Sequence, residues 1–465
     1  ICIIGAGPAG LAALKIILDS PQYKAGLWKA TAFEARDKVG GIWLPGRPTD
    51  DPPLSPLYDS LTTNLPHPLM AYSDFSFPAS TPIFPDANRV LQYLNDYALH
   101  FNLSHHIRFN STVTSVKRDP SNSHWNVTIN NSESLSFHLV IICNGHYHIP
   151  RYHDVPGIAQ WIRARKATHA AYYRRPDHFG NVVLVIGGGP SGLDISSEMR
   201  TSAHTVIHSA TYATHEDIGN LKRRGRVSYF HENTHQVTFE DGTTESGIDH
   251  CILATGYELS YPFLPADVFL PTLPPTSPPL PSNIHANTYS VFPLAKHLFP
   301  LQSPHSISTS TGFPPWSIAF MGLLIRIIPF PLFESQARAV LHAFAHPEAL
   351  EPTREAVDIM TRHETLRLRL GSDDPLVIAK AWHRFESLEQ FEYRDALSDF
   401  VNASSGEGKV QEWEIEMYAD ALVLRSAWVE LEKRGEALEW VRGVGEGDRK
   451  GAEGKKEWVE VLRRI

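Results

Sequence analysis

Two short runs of apolar, mostly β-branched residues, Ile1-Cys2-Ile3-Ile4 and Val182-Val183-Leu184-Val185-Ile186, each stop at a glycine and give way to helical spacing. The helical stretches are Leu11 to Leu18 and Leu193 to Met199. An unbroken apolar run of this length followed by a change of period predicts a buried parallel strand leading into a helix. Two further runs, Leu139 to Cys143 and Ile252 to Ala254, end in the glycine turns at Gly145 and Gly256 and read as buried strands of the same kind. Between Ile107 and Val140 apolar and polar residues alternate, which predicts antiparallel strands joined by Asn/Ser turns. Asn88 to Phe101 reads as a helix, residues 45 to 85 as irregular, and His148 to Gly157 as a linker. The proline-dense stretch Pro265 to Pro281 predicts a loop without regular structure. After Ser317 the pattern is mainly helical, with amphipathic runs Glu334 to Ala345 and Val410 to Arg442. The expected class is α/β, with two Rossmann-like dinucleotide-binding domains and a helical C-terminal segment. One domain comprises residues 1–150 and 259–465, interrupted by a smaller one at 151–258.

The two strand-to-helix junctions carry the chemistry. They read Gly5-Ala6-Gly7-Pro8-Ala9-Gly10 and Gly187-Gly188-Gly189-Pro190-Ser191-Gly192, and both fit G-x-G-x-x-G. The first glycine makes the tight turn, the second admits a pyrophosphate, and the third lets helix and strand pack. The pyrophosphate then rests on the partial positive charge of the helix N-terminus. Glu34 lies 24 residues after Gly10, at the end of a second strand. That offset suits an acidic residue meeting a ribose hydroxyl. Two such units in one chain imply two dinucleotides, read most economically as a flavin and a nicotinamide exchanging a hydride.

Bulk composition removes other classes. A net charge of −9 argues against nucleic acid or an anionic membrane as the main partner. The most apolar window, Ile318 to Phe333, is broken by Arg326, Pro329 and Pro331 and is too short to span a bilayer comfortably. Cys2, Cys143 and Cys251 each lie in a strand-like run with no C-x-x-C, so they read as buried rather than redox-active. The 24 histidines are scattered rather than spaced as metal ligands, and no metal is expected. The chain opens inside its first strand, and sequons occur at Asn102, Asn110, Asn126, Asn130 and Asn402. A cytoplasmic location is expected, with a secretory route left open. A homodimer is likewise left open.

Gly40-Gly41-Ile42-Trp43, Tyr58-Asp59-Ser60-Leu61-Thr62-Thr63-Asn64, Asn144-Gly145-His146-Tyr147 and Ala254-Thr255-Gly256-Tyr257 follow one another in an order that resembles flavin-containing monooxygenases. Ile318 to Gly322, with Pro331, Glu334 and Gln336, resembles the C-terminal half of the same family. The likeness runs from residue 1 to about 400, and the Pro-rich loop is most similar to the fungal branch. The resemblance implies that NADPH reduces FAD, that O₂ gives a flavin C4a-hydroperoxide, and that a soft nitrogen or sulfur of a small molecule attacks it. It also explains why no Ser-His-Asp or carboxylate pair is present. The implied catalytic residue is Asn64, whose amide can donate and accept hydrogen bonds without titrating. FAD contacts are implied at Gly5, Ala6, Gly7, Pro8, Ala9, Gly10, Glu34, Gly41, Ile42, Trp43, Thr63, Asn64, Val113, Gly145 and Gln336. NADPH contacts are implied at Gly187, Gly189, Ser191, Gly192, Leu193, Asp194, Ser209 and Thr211. Asp194 reads as a residue that orders the loop rather than one that touches phosphate.

The chain departs from the family pattern twice. The linker string F-x-G-x-x-x-H-x-x-x-F/Y keeps His169 and Tyr173, but its Phe and Gly positions are Arg163 and Arg165. After the strand His204 to His208 the sequence runs Ser209-Ala210-Thr211, without the Arg that often grips the 2′-phosphate and without an acid that selects NADH. NADPH preference with relaxed selectivity follows. Two alternatives stay open: Baeyer–Villiger oxidation of a ketone, and an uncoupled NADPH oxidase or non-catalytic flavoprotein.

Overall fold

A computed structural model describes every residue except 120, 122, 212–213, 276–278, 303–311, 402–407 and 447–451. The chain forms two compact units, interleaved in sequence. One comprises Ile1–Gly41, Thr62–Gly145 and Leu259–Ile465; the other comprises Ile42–Leu61 and His146–Glu258.

In the first unit the apolar run at Cys2–Ile4 is the middle strand of a five-stranded sheet, paired in parallel with Thr31–Phe33 and Val140–Ile142. Its residues are covered on both faces, which is why the sequence shows no alternation there. The sheet is extended by Ile107–Arg108 on one edge and Ile318–Phe320 on the other, both parallel. Ile107 therefore belongs to this sheet and not to the antiparallel set expected to begin with it. The antiparallel strands proper are Val113–Asp119, His124–Ile129 and Glu133–Phe137. Their alternating inward residues, such as Val116, Trp125 and Val127, join the core beneath the parallel sheet.

The apolar window around residue 320 resolves into the strand Ile318–Phe320 and then the helix Pro329–Ala345. No helix among the described residues is long and apolar enough to cross a membrane. Phe269–Leu270 pairs briefly with Ile284–Ala286, so the proline-dense loop holds one two-residue strand. Val291–Phe292 pairs antiparallel with Ile284–Ala286, Leu294–Ala295 forms a short hairpin with Phe299–Pro300, and from Pro329 onward the unit is mainly helical. Pro329, Pro352 and Pro375 each open a helix, where the missing N–H costs nothing. The run expected at 410–442 is three helices, Glu412–Ala419, Ala421–Lys433 and Ala437–Trp440. It breaks at Asp420 and again at Gly435, whose φ of 73° is a left-handed stop.

The second unit is built on a six-stranded sheet. Its order is Glu216–Ile218, Leu221–Arg224, Thr205–Ser209, Val182–Ile186, His250–Leu253, Ala167–His169, parallel except for the first pair. The helix Pro190–Met199 lays Ile195 and Met199 against Val183, Val185 and Val206. A three-stranded antiparallel sheet, residues 227–246, adds Phe230, Val237 and Phe239 to a second core cluster.

Residues 42–61, read from the sequence as part of the first domain, group with the second unit. Hydrogen bonds explain this. Arg174 Nη2 donates to the carbonyls of Gly46 (3.1 Å) and Ser55 (2.9 Å), and the Asp59 N–H donates to the Arg174 carbonyl (2.8 Å). Tyr172 Oη donates to Asp51 at 2.6 Å.

Candidate functional site

The first fingerprint closes the turn between Cys2–Ile4 and the helix Pro8–Asp19. A Cβ on Gly5 would stand 2.6 Å from the Cys143 carbonyl oxygen, and one on Gly10 would stand 2.0 Å from that of Gly5. Both positions therefore exclude any other residue. Gly7 has a different reason from the one expected. A Cβ there would meet Gly41 Cα at 3.2 Å, and one on Gly41 would meet Gly7 Cα at 2.9 Å. The second glycine admits the Gly40-Gly41 backbone before it admits any ligand. The N–H groups of Ala9 and Gly10, in the first helical turn, have no acceptor within the helix and are left for an anion. Glu34 is buried at the end of Thr31–Phe33. Its Oε2 accepts from the Ala6 N–H (2.8 Å) and its Oε1 from the Arg36 N–H (2.9 Å). A carboxylate has about four acceptor positions, so two remain for ribose hydroxyls.

Asn64 is exposed, on a segment fixed on both sides. The Thr63 N–H donates to the Pro85 carbonyl (2.9 Å), its hydroxyl donates to that of Leu65 (2.8 Å), and Thr62 forms a β-bridge with Asp86. Gly145 follows the strand Val140–Ile142 with φ of 73° and open space where a side chain would be. Two expected contacts take another form. The Val113 side chain is in the core cluster, because it faces inward on its strand, so only its backbone is left for a ligand. Gln336 is fully buried, with Oε1 accepting from the Gly322 N–H (3.1 Å) and Nε2 donating to Tyr393 Oη (3.2 Å). Gly322 in turn lies against Ala9, its absent Cβ 3.6 Å from that of Ala9. Gln336 thus supports the backbone beside the fingerprint.

Sequence reasoning missed Tyr72, whose hydroxyl donates to the Pro8 carbonyl at 2.7 Å and whose ring stacks on Phe330. It also left Glu334 without a role. Glu334 Oε2 accepts from both the N–H (2.8 Å) and the hydroxyl (2.7 Å) of Ser73, holding the stretch next to Tyr72. The signal available was the aromatic density of Tyr72, Phe75 and Phe77 inside a stretch that otherwise looks irregular.

In the second unit Gly187 and Gly192 are required by close approach. Their absent Cβ atoms would stand 2.1 Å from the Ala254 carbonyl oxygen and 1.9 Å from that of Gly187. Gly189 has nothing within 4 Å, the open space a pyrophosphate needs. Ser191 and Leu193 follow at the helix start, Leu193 exposed. Asp194 accepts from Tyr58 Oη at 2.6 Å; burial and this carboxylate push the Tyr58 hydroxyl well above its ordinary range. Ser209 was expected to face a phosphate, but it is buried and donates to the Gly225 carbonyl at 2.7 Å. His208 is likewise engaged with the Gly187 carbonyl at 2.8 Å. That leaves Thr211, which is exposed, and Ala210, whose Cβ would lie 3.2 Å from one placed on Gly188 of the fingerprint loop. Gly41, Ile42 and Trp43 form one turn of 3₁₀ helix, and the Ile42 carbonyl accepts from Ser55 Oγ at 2.9 Å.

In the altered linker string, Arg165, which stands at the glycine position, has φ of 57°, a left-handed conformation that non-glycine residues adopt uncommonly. His169 Nδ1 accepts from the Ala171 N–H (3.1 Å), which makes Nε2 the donor to the Gly256 carbonyl (3.0 Å). Burial lowers its pKa to about 4, so it stays neutral and holds the Gly256 turn. The cysteines are buried and free, with the Cys2 thiol pushed up to about 12 by burial and the other two higher. No group of side chains suited to a metal ion occurs among the described residues.

Residues 1–216 and 217–272 match the family model described as flavin-binding monooxygenase-like. The chain is 30% identical over 450 residues to the flavin-containing monooxygenase FMO GS-OX-like 4 of Arabidopsis thaliana, covering 90% of each protein. It is 33% identical over 377 residues to FMO GS-OX-like 6 of the same plant, covering 73% of this chain and 71% of that one. Among solved structures, the S-allyl-L-cysteine S-oxygenase of Allium sativum superposes with a TM-score of 0.72 at 24% identity. The match covers 100% of this chain and 97% of that one. Tmm from Pelagibacter superposes with a TM-score of 0.68 at 19% identity, covering 92% and 90%.

Proposed function

The chain belongs to the flavin-binding monooxygenase-like family, and from that premise we propose that it transfers one oxygen atom of O₂ to a soft nucleophilic sulfur or nitrogen of a small molecule. It is an oxidoreductase whose cofactors are FAD and NADPH. FAD, when bound, takes a hydride from NADPH and activates O₂. In the reading proposed here the first unit holds FAD and the second holds NADPH.

The protein's own share is binding and exclusion. Each fingerprint offers the N-terminus of a helix to a pyrophosphate, and Glu34 has acceptor positions left for ribose. The residue this reading depends on is Asn64. It presents an exposed amide from a segment hydrogen-bonded on both sides. Such an amide can hold an oxygen-bearing reactant across a wide pH range without adding or removing a proton. The burial of all three cysteines keeps the chain's own thiols out of reach of the oxidant.

The test is NADPH consumption by the FAD-loaded enzyme against thioethers, thiols and tertiary amines, with each product weighed by mass spectrometry. A mass gain of one oxygen on a sulfur or nitrogen compound supports the reading. Lactone formation from a cyclic ketone, with no heteroatom oxidation, would overturn it. Asn64→Ala should retain FAD yet give at least tenfold less product per NADPH, with the difference appearing as hydrogen peroxide. Wild-type coupling in that variant removes Asn64 from the reaction.

A further inference from the structure

The segment carrying Asn64 is gripped by a residue 363 positions away in sequence. Arg425, on the helix Ala421–Lys433, donates from Nη2 to the Thr62 hydroxyl at 2.6 Å, and its guanidinium lies 4.9 Å from the centre of the Phe84 ring. Its other terminal nitrogen, Nη1, is buried without a hydrogen-bond partner. A guanidinium held by one hydroxyl and one aromatic face is a poor stabilising device, since removing a cation from water is costly unless it is fully paired. Its cost makes sense if it fixes something else. What it fixes is Thr62, bridged to Asp86 and followed by Thr63, whose N–H is tied to Pro85. Phe84, Pro85 and Asp86 therefore form a short rail, with Arg425 clamping its Phe84 end to Thr62.

We propose that Arg425 is a positioning residue for Asn64: through Thr62 and Phe84 the C-terminal helical region sets where the Asn64 amide stands. The inference rests on the Asn64 reading above. An amide serves an oxygen-bearing reactant only at hydrogen-bond distance, and a displacement of about 1 Å can cost a hundredfold in rate. A planar guanidinium stacks on a ring and directs its N–H groups in fixed directions, whereas a lysine ammonium does neither. The interaction requires the hydroxyl of Thr62 but not its methyl.

The experiment uses the FAD-loaded enzyme and the variants Arg425→Met, Thr62→Val and Thr62→Ser, with Asn64→Ala in parallel. The quantities read are FAD content, the rate of flavin bleaching by NADPH without oxygen, and the ratio of product to hydrogen peroxide with a thioether that is turned over. Arg425→Met and Thr62→Val should keep FAD and bleach at the wild-type rate, yet release at least threefold more peroxide per NADPH. Thr62→Ser should behave as wild type. In the double variant Arg425→Met/Asn64→Ala, the Arg425 change should add nothing to the uncoupling caused by Asn64→Ala. Wild-type coupling in Thr62→Val, which disturbs the fold least, overturns the proposal if Asn64→Ala uncouples. An additive double variant overturns it too. Wild-type coupling in Asn64→Ala overturns the Asn64 reading itself and this inference with it.

Discussion

Glycine positions separate the demands of the fold from those of a ligand. At Gly10 and Gly192 a methyl group would stand about as far from a carbonyl oxygen as a bonded hydrogen does, 2.0 and 1.9 Å, so the chain itself forbids any other residue. Gly189 differs. Its φ is −84°, an ordinary value for any residue, and a Cβ there would meet nothing within 4 Å. Gly189→Ala should therefore fold, losing at most about 1 kcal/mol for the poorer helix cap. The methyl would stand in the space read here as that of the pyrophosphate. Isothermal titration of the FAD-loaded variant should show NADP⁺ bound at least tenfold more weakly, with FAD content unchanged. An unaltered dissociation constant would mean that the open space above Gly189 serves no nucleotide. Gly7 cannot be used in this way, because its neighbour Gly41 already accounts for it.

At the level of elements, the proposed reading puts the discrimination between the nicotinamide cofactor and its unphosphorylated form at the end of the strand Thr205–Ser209. Ser209 and His208 are spent on the carbonyls of Gly225 and Gly187, and Ala210 lies against the fingerprint loop with no charge to offer. The wild type should thus prefer NADPH only weakly. Ala210→Arg should raise the ratio of kcat/KM for NADPH over NADH by about tenfold, or about 1.4 kcal/mol, since a guanidinium can pair with a phosphate bidentately. A ratio unmoved by that change would place the 2′-phosphate elsewhere. Here sequence and structure diverge for a definable reason. The missing arginine is legible as a letter; the engagement of Ser209 with the neighbouring strand's end is not, because Gly225 is 16 residues away. The same limit applies at Gly7 and at Gln336, whose partners come from distant segments. The fingerprints, the buried strands and the Glu34 offset were legible because each rests on local spacing. The grouping of residues 42–61 was not, because it depends on Arg174, more than a hundred residues on.

Across the whole molecule, neutral buried histidines make stability depend on pH within a narrow window. His169 and His250 have pKa values lowered to about 4 by burial, and His67 to about 3. In the unfolded chain each titrates near 6.5. A group whose folded pKa is lowered binds protons first in the unfolded state, so its contribution to stability is complete above 6.5 and falls as pH drops towards the folded value. At pH 5 the loss is about 2 kcal/mol for each histidine, before most carboxylates begin to take up protons. Native chains are stable by only about 5–15 kcal/mol, so three such groups matter together. The melting temperature of the FAD-loaded protein should accordingly be flat from pH 8 to 7 and fall steeply between 6.5 and 5. His250 is the member to replace as a check, because its Nε2 meets only the Thr168 hydroxyl, at 2.9 Å. In His250→Gln the amide can keep that hydrogen bond without titrating, so the slope between pH 6.5 and 5 should become shallower. An unchanged slope in that variant would assign the acid sensitivity to groups other than His250.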